Sequence, residues 1–380
     1  MSDEFADVIP SDGTASDVRI LAFEAWDGGS HRAVREAIER HARFDWHWQT
    51  LRPANWRWRL RLGAADLISQ AAGEGVLEQA WDVIFATSMV SLADLVSLLP
   101  KHIAGLPRVL YMHENQAAYP PADGRGDPRD AHAVATNLMS MLAADCILWN
   151  SLWNRDSFLE QAQEVLTKAR APVQRDIIAE IAERSSIAWP PVEVPIASDP
   201  EVLHNSAQAK ERGLTLVAWP HRWEHDKGPE ELLAIELECG ERDQLGWVLL
   251  GEQFNTVPEA LSRLQQQAGD RIIHAGRAPR AQYESWLHAC DWVLSTARHE
   301  FFGVGVVEAM LAGCLPWLPD RLSYPELVPP QYMGLCPTNP PANIGVAQEA
   351  IRSHLAQAVA PQAVHRIEEA MKRQVPHTRR

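Results

Sequence analysis

Residues 188 to 200 read AWPPVEVPIASDP. Pro190, Pro191, Pro195 and Pro200 withhold backbone donors from any ladder or helix interior, so the stretch reads as a connection. The same pattern runs on both sides of it. Upstream lie VRILAF (18 to 23), DVIFATS (82 to 88), RVLYMH (108 to 113) and DCILWNS (145 to 151), short β-branched runs that each precede a helical stretch. Downstream the alternation restarts with LTLVAW, GWVLLG, RIIHAG, DWVLST and CLPWLP. Strands alternating with helices imply a parallel sheet covered on both faces. Two α/β domains follow, a number that suits 380 residues. The expected division is a disordered start at 1–16, a first domain at 17–198, a second at 199–342, and a helical tail at 343–380 packed partly on the first domain.

Composition narrows the class. Hydrophobic residues make up 46% and charged residues 22%, an ordinary globular balance. The polar start MSDEFADVIPSDGTASD has no basic n-region or apolar h-region, and no run of about eighteen apolar residues occurs. A soluble, unexported, cytoplasmic protein with no membrane partner is the expectation. The five cysteines are scattered and form no C-x-x-C pair, which argues against a disulfide scaffold or zinc ribbon. A net charge of −15 opposes polyanion binding over the whole surface, so any nucleic-acid contact must be local.

Open parallel sheets bind ligands beyond the carboxyl ends of their strands. The most informative of these loops is HEFFGVGVVE (299 to 308), in which Glu300 and Glu308 flank Gly303 and Gly305. Only Glu308 falls inside the helix expected to follow. Helix-terminal N–H groups favour a phosphate, and glycines let it approach the backbone. Carboxylates repel phosphates but accept hydrogen bonds from sugar and ribose hydroxyls, so acids beside a phosphate seat suggest a sugar nucleotide. The competing reading is a buried turn with two solvated acids.

The same domain contributes PHRWEHDKG (220 to 228), where Arg222 and Lys227 precede Gly228 and a helix. Two cations there would clamp a departing diphosphate, against the alternative of a solvated turn. In EAWDGGSH (24 to 31), Gly28 and Gly29 precede Ser30 and His31, either as a phosphate-facing turn or as a plain tight turn. The pattern is not G-x-G-x-x-G, which weakens a dinucleotide-dependent dehydrogenase. His113 and Glu114 end the strand RVLYMH, placed to meet a sugar hydroxyl, although Glu114 would equally serve as a helix cap. No D-x-D pair occurs and no histidine cluster shows ligand spacing, so no metal and no cofactor is expected. His47 to Arg61 sets Arg52, Arg57, Arg59 and Arg61 among Trp48, Trp56 and Trp58. Such a mixture suits unstacked RNA, against an amphipathic element packing its tryptophans inward.

Together these residues resemble the retaining glycosyltransferases of family 4. The family's E-x7-E pattern is similar to Glu300 and Glu308, and its Arg…Lys-Gly pattern to Arg222, Lys227 and Gly228. EAWDGGSH, WRWRLRL, YMHENQ, ILWNSLWNRDSFL and PHRWEHDKGP, in this order, resemble the branch that mannosylates queuosine in tRNA. The likeness spans most of residues 18 to 330. It implies a GT-B fold, two Rossmann-like domains facing across a cleft with a C-terminal helix crossing back, and metal-independent transfer with retention. It implies GDP-mannose as donor and tRNA carrying queuosine at the wobble position, typically the aspartate tRNA, as acceptor. No obligate protein partner is implied.

Carried over residue by residue, the catalytic assignments fall on His113, Glu300, Arg222 and Lys227. Donor binding falls on those last three together with Gly28, Gly29, Phe302, Gly303, Val304, Gly305 and Glu308, the last on the ribose. Acceptor binding falls on Ser30, His31, Arg52, Trp56, Arg57, Trp58, Arg59, Glu114, Asn115, Gln116, Asn150 and Asn154. The Pro-, Gly- and Asp-rich loop between Asn115 and His132 departs from the family pattern.

Overall fold

The computed structural model describes residues 18–118, 131–168, 176–253 and 257–374. The first sixteen residues, the last few, and most of the loop before His132 lie outside these. Among the described residues eleven strands form two sheets, both parallel throughout. The first orders β2(Asp45–Thr50), β1(Arg19–Glu24), β3(Val83–Thr87), β4(Arg108–Met112), β5(Cys146–Trp149) and β6(Ser185–Ile187). The second orders β11(Leu315–Trp317), β10(Trp292–Leu294), β7(Thr215–Trp219), β8(Leu245–Leu250) and β9(Ile272–Gly276). Helices cover both faces of each sheet, which is why β1, β3, β4, β7 and β8 read as nearly unbroken apolar runs.

In each sheet the chain starts inside, winds out to one side, and returns to wind to the other. Connections leave in opposite directions at β1/β3 and at β7/β10, opening a crevice at the carboxyl edge. The loops after β7 and β10, which carry Lys227 and Glu300, are therefore neighbours although they lie far apart in sequence.

The connection between the sheets is ordered by chemistry local to it. Asp199 caps the helix Pro200–Glu211, accepting from the Glu201 and Val202 amides at 3.1 Å each, and Pro200 starts that helix where a missing N–H costs nothing. Val192 pairs with the returning chain: its amide donates to the Ala358 carbonyl at 2.8 Å and its carbonyl accepts from Ala360 at 2.9 Å. The two crossings between domains thus run side by side. The final helix, Ala360–Lys372, then packs Val364, Ile367 and Met371 into the core of the first domain beside Ile20 and Val34. Full burial of each such side chain is worth about 1.5–3 kcal/mol. Glu368 fixes the docking by accepting from the Arg43 and Phe44 amides at 2.9 Å each and from Trp46 Nε1 at 3.2 Å.

The Trp/Arg segment is neither one hairpin nor one helix. Its first residues complete β2, Leu51 to Asn55 form a loop, and the helix Trp56–Gly73 follows. All five cysteines are free thiols. Among the described residues no helix is long and apolar enough to cross a membrane.

Candidate active site

Gly228 sits in the left-handed region at φ 66°, where a side chain would strain the backbone, and a Cβ there would collide with the Thr296 carbonyl. This close approach seats the Lys227 loop on the loop after β10. Thr296 Oγ1 returns a hydrogen bond to the Lys227 carbonyl at 2.8 Å, and the Arg298 amide donates to the Asp226 carbonyl at 2.8 Å. Lys227 is consequently buried. Its ammonium donates to the His299 carbonyl at 2.8 Å, and lies 3.1 Å from Asp226 and 3.4 Å from Glu300. All three ammonium donors of Lys227 meet protein oxygens, so its charge is held in place by the protein, while Arg222 stays half-exposed and pairs with Glu224 at 3.1 Å.

Glu300 precedes the helix Val304–Ala312, and Glu308 lies inside it, with Gly303 as an N-cap lacking any side-chain cap. Burial alone would raise the Glu300 carboxyl, but Lys227, His221 and His299 outweigh it and hold it at about 2. Lys227 is raised in turn, because Glu300 and Asp226 overcome its burial. The pair is therefore a fixed plus-minus unit across the working pH range. Gly305 leaves little room for a side chain, since a Cβ would stand 3.1 Å from both the Pro220 carbonyl and the Tyr283 hydroxyl. The Phe302 side chain is buried in the core of the second domain and shapes the loop from behind, which leaves only its backbone for a donor contact. Glu308 is also committed internally. Arg280 Nη1 donates to one oxygen at 2.6 Å and the Tyr283 hydroxyl to the other at 2.9 Å, while burial pushes the carboxyl up. A ribose would have to use the remaining lone pairs.

A chain of hydrogen bonds joins this loop to the first domain. Ser151 Oγ donates to the Phe301 carbonyl at 2.5 Å, and its neighbour Asn150 donates to the His113 carbonyl at 2.7 Å. Glu326, from the second domain, accepts from the Leu152 and Trp153 amides at 2.9 and 3.2 Å and so caps the helix Leu152–Lys168. The His113 and Glu300 loops are thereby brought to one place from opposite domains.

Several acceptor-side assignments are corrected. Asn115 and Asn154 are fully buried and bonded to each other, with Asn115 Nδ2 2.8 Å from Asn154 Oδ1. Asn154 also donates to Met112 O and to Asn150 Oδ1, and the Gln116 amide donates to Asn137. With their side-chain polar atoms bonded within the first domain, Asn115, Asn150 and Asn154 brace the His113 loop, and Gln116 is buried with its side chain held to Glu114. Glu114 is half-buried and accepts from the Gln116 side chain at 3.0 Å. Gly29 takes φ 55° at the start of the helix Gly29–His41, and Ser30 beside it is exposed. Gly28 has extended backbone, and what forbids a side chain there is Pro53, whose Cγ a Cβ would meet at 2.5 Å.

His31 is not at the surface. It is buried, with Nδ1 2.9 Å from Glu24, and its ring stacks on His113 at 4.0 Å. Glu24, His31 and His113 thus form a cluster, with ligand-capable atoms within 4.8 Å of one another, that no local spacing announces.

The tryptophans divide between the two readings. Trp48 stacks on Trp46 against Phe85, and Trp56 packs against the first domain's core. Trp58, by contrast, is 67% exposed. Arg52 and Arg57 are also exposed, with the Arg57 guanidinium 4.6 Å over the Trp56 ring. Arg59 pairs with Asp66 at 3.1 Å and Arg61 donates to Thr136 at 2.8 Å, which ties those two to the helix and its neighbour.

Residues 19–192 match the family described as tRNA-queuosine alpha-mannosyltransferase N-terminal, and residues 204–374 match Glycosyl transferases group 1. The chain is 34% identical over 318 residues to the tRNA-queuosine alpha-mannosyltransferase of Drosophila melanogaster, covering 82% of this chain and 81% of that protein. The chain belongs to the tRNA-queuosine alpha-mannosyltransferase family. A more distant relative is the GDP-mannose:cellobiosyl-diphosphopolyprenol alpha-mannosyltransferase of Xanthomonas oryzae pv. oryzae, 26% identical over 47% of this chain and 46% of that protein. Among solved structures, Anabaena HepE in complex with UDP and glucose aligns with a TM-score of 0.56 at 17% identity, over 94% of this chain and 95% of that one. The catalytic domain of starch synthase IV from Arabidopsis thaliana, bound to ADP and acarbose, aligns at 0.62 and 12% identity over 95% and 100%. The architecture is GT-B.

For this member of the mannosyltransferase family the buried histidines set the acid limit of the fold. Burial, then the nearby Lys227 charge, lowers His221 to about 3 and His299 to about 4, and burial with the His31 charge depresses His113. An unfolded histidine titrates near 6.5, so between pH 7 and pH 5 the unfolded chain takes up protons that these folded residues refuse. Each then costs about 2 kcal/mol of stability over that interval. His31 acts in the opposite sense. Glu24 raises it against its burial, so its contribution is complete at low pH and is lost as pH rises through its folded value. Urea unfolding is expected to show a net loss of about 5 kcal/mol on going from pH 7 to pH 5, since His31 returns less than about 1 kcal/mol over that interval. An unchanged midpoint and slope would contradict neutral burial.

Proposed function

We propose that this chain transfers mannose from GDP-mannose to the queuosine base of tRNA, with retention at the anomeric carbon. The reading is carried by the Lys227–Glu300 pair, tied through Phe301, Ser151 and Asn150 to His113 of a first domain that matches the queuosine branch. Glu300, kept ionised, accepts hydrogen bonds from donor-sugar hydroxyls. Lys227 and the half-exposed Arg222 face the diphosphate, and the uncapped amides at Gly303 to Gly305 add partial positive charge. Neutral His113 meets the sugar from the other side of the cleft.

As the C1–O bond to the diphosphate breaks, negative charge grows on the leaving oxygen, and the diphosphate takes the proton of the incoming queuosine hydroxyl on the same face. The protein supplies alignment and electrostatic stabilisation rather than a base of its own. The cationic groups stand where a metal would otherwise hold the diphosphate, so chelation with EDTA leaves the rate unchanged. The acceptor is the aspartate tRNA with queuosine at the wobble position, and the enzyme works in the cytoplasm.

Trp58, with Arg52 and Arg57, forms the RNA-facing edge. A stacked base is worth about 1–3 kcal/mol. Trp58→Ala should therefore raise the Kd for tRNA about 5- to 150-fold while leaving GDP-mannose binding unchanged. Equal tRNA affinity in a titration at fixed salt would remove Trp58 from the interface.

A further inference from the structure

Glu24 ends β1 as a carboxylate that is only 1% exposed, at the carboxyl edge where the cleft lies. A buried charge is costly unless paired, and its partners define what it does. Oε1 accepts from the Trp26 amide at 2.7 Å, which fixes the carboxylate plane. Oε2 lies 2.9 Å from His31 Nδ1 and 3.9 Å from His113 Nε2. The His31 and His113 rings stack at 4.0 Å with an interplanar angle of 27°, and Tyr111 closes the far side of His113 edge-on at 4.7 Å.

We propose that Glu24 is a positioning residue, whose carboxylate fixes the ring of His31 so that His31 in turn seats the ring of His113 at the cleft. The inference rests on the functional reading of His113 given above. Stacked imidazoles hold their nitrogens side by side instead of converging on one point, which favours a ring platform over a metal site. The 2.9 Å contact selects the His31 tautomer or cation with a proton on Nδ1. Glu24, Asp27, Glu114 and His113 are the titratable groups that act on His31, and three of the four favour its charged form. That charge, together with burial, keeps His113 neutral and able to accept a hydrogen bond from a sugar hydroxyl.

The test uses the full chain with Glu24→Gln, which keeps the shape and loses the charge, and Glu24→Asp, which keeps the charge on a shorter stem. In mannosyl transfer, E24Q should lower kcat about 10- to 100-fold with KM for GDP-mannose changed less than about twofold, the range for a lost outer partner of a histidine. The acid limb of its kcat–pH profile should move, and E24D should restore part of both. A readout independent of transfer is the histidine ring titration by NMR. In the wild type His31 should titrate above the ordinary value and His113 should stay neutral, and in E24Q the His31 midpoint should fall. E24Q with wild-type kcat and pH profile would overturn the proposal, as would a His31 that titrates normally in the wild type. Stoichiometric metal in the purified wild type, lost in E24Q, would also overturn it by making these residues ligands. Absence of any mannosyl transfer by the wild type refutes the functional reading instead, and the ring titration still decides the Glu24–His31–His113 arrangement.

Discussion

Lys227→Met is expected to lower kcat for mannosyl transfer by about 10²- to 10³-fold, the cost of one preorganised charge at a developing anion. The substitution also leaves Glu300 and Asp226 as partly buried carboxylates without their shared cation. Breaking a fully buried pair from one side costs about 3–5 kcal/mol, and the partial exposure here brings the loss below that. Stability should therefore fall together with turnover, while the affinity for tRNA, which we assign to the first domain, stays within about twofold. Steady-state kinetics, urea unfolding and a tRNA titration on the same preparation check all three. A variant with wild-type kcat would exclude Lys227 from the diphosphate site.

Glu300→Gln is expected to be nearly as damaging, by about 10²-fold or more in kcat. Glutamine keeps the volume and one acceptor oxygen, so the Phe301 amide, now 3.1 Å from Glu300 Oε1, keeps its partner. What disappears is the negative charge that a carboxyl held at about 2 carries at every working pH. Since Lys227 and Glu300 act as one unit, the double variant should lose far less than the sum of the two single losses. Additive losses in a double-mutant cycle would show that the two residues act at separate steps.

The fold was legible because its central strands are covered on both faces. LTLVAW and GWVLLG read as strands from their apolar runs alone, and the proline stretch at 188 to 200 separates the two series. The strands that sequence reading passed over are β2 and β6, and both are sheet edges. DWHWQT mixes polar groups with tryptophans, and Ser185–Ile187 is three residues long, so neither carries the two-sided apolar signature.

The second-domain half of the site was equally readable, because its glycines mark positive φ and close approach at Gly228, Gly303 and Gly305, and acids and cations surround them. The first-domain half was not. Glu24 reads as the polar end of an apolar strand, and its relation to His113 arises only when β1 and β4 are placed in one sheet. Asn115, Asn150 and Asn154 misled for the converse reason. They lie at the carboxyl edge of the sheet, yet the loop that holds His113 still needs its own backbone groups satisfied, and these amides supply that.

The most direct measurement incubates the purified chain with radiolabelled GDP-mannose and two aspartate tRNAs that differ only in carrying queuosine or guanosine at the wobble position. Label should enter the queuosine-containing tRNA, be absent from the other, and be unaffected by EDTA. Equal labelling of both tRNAs, or none in either, would contradict the account.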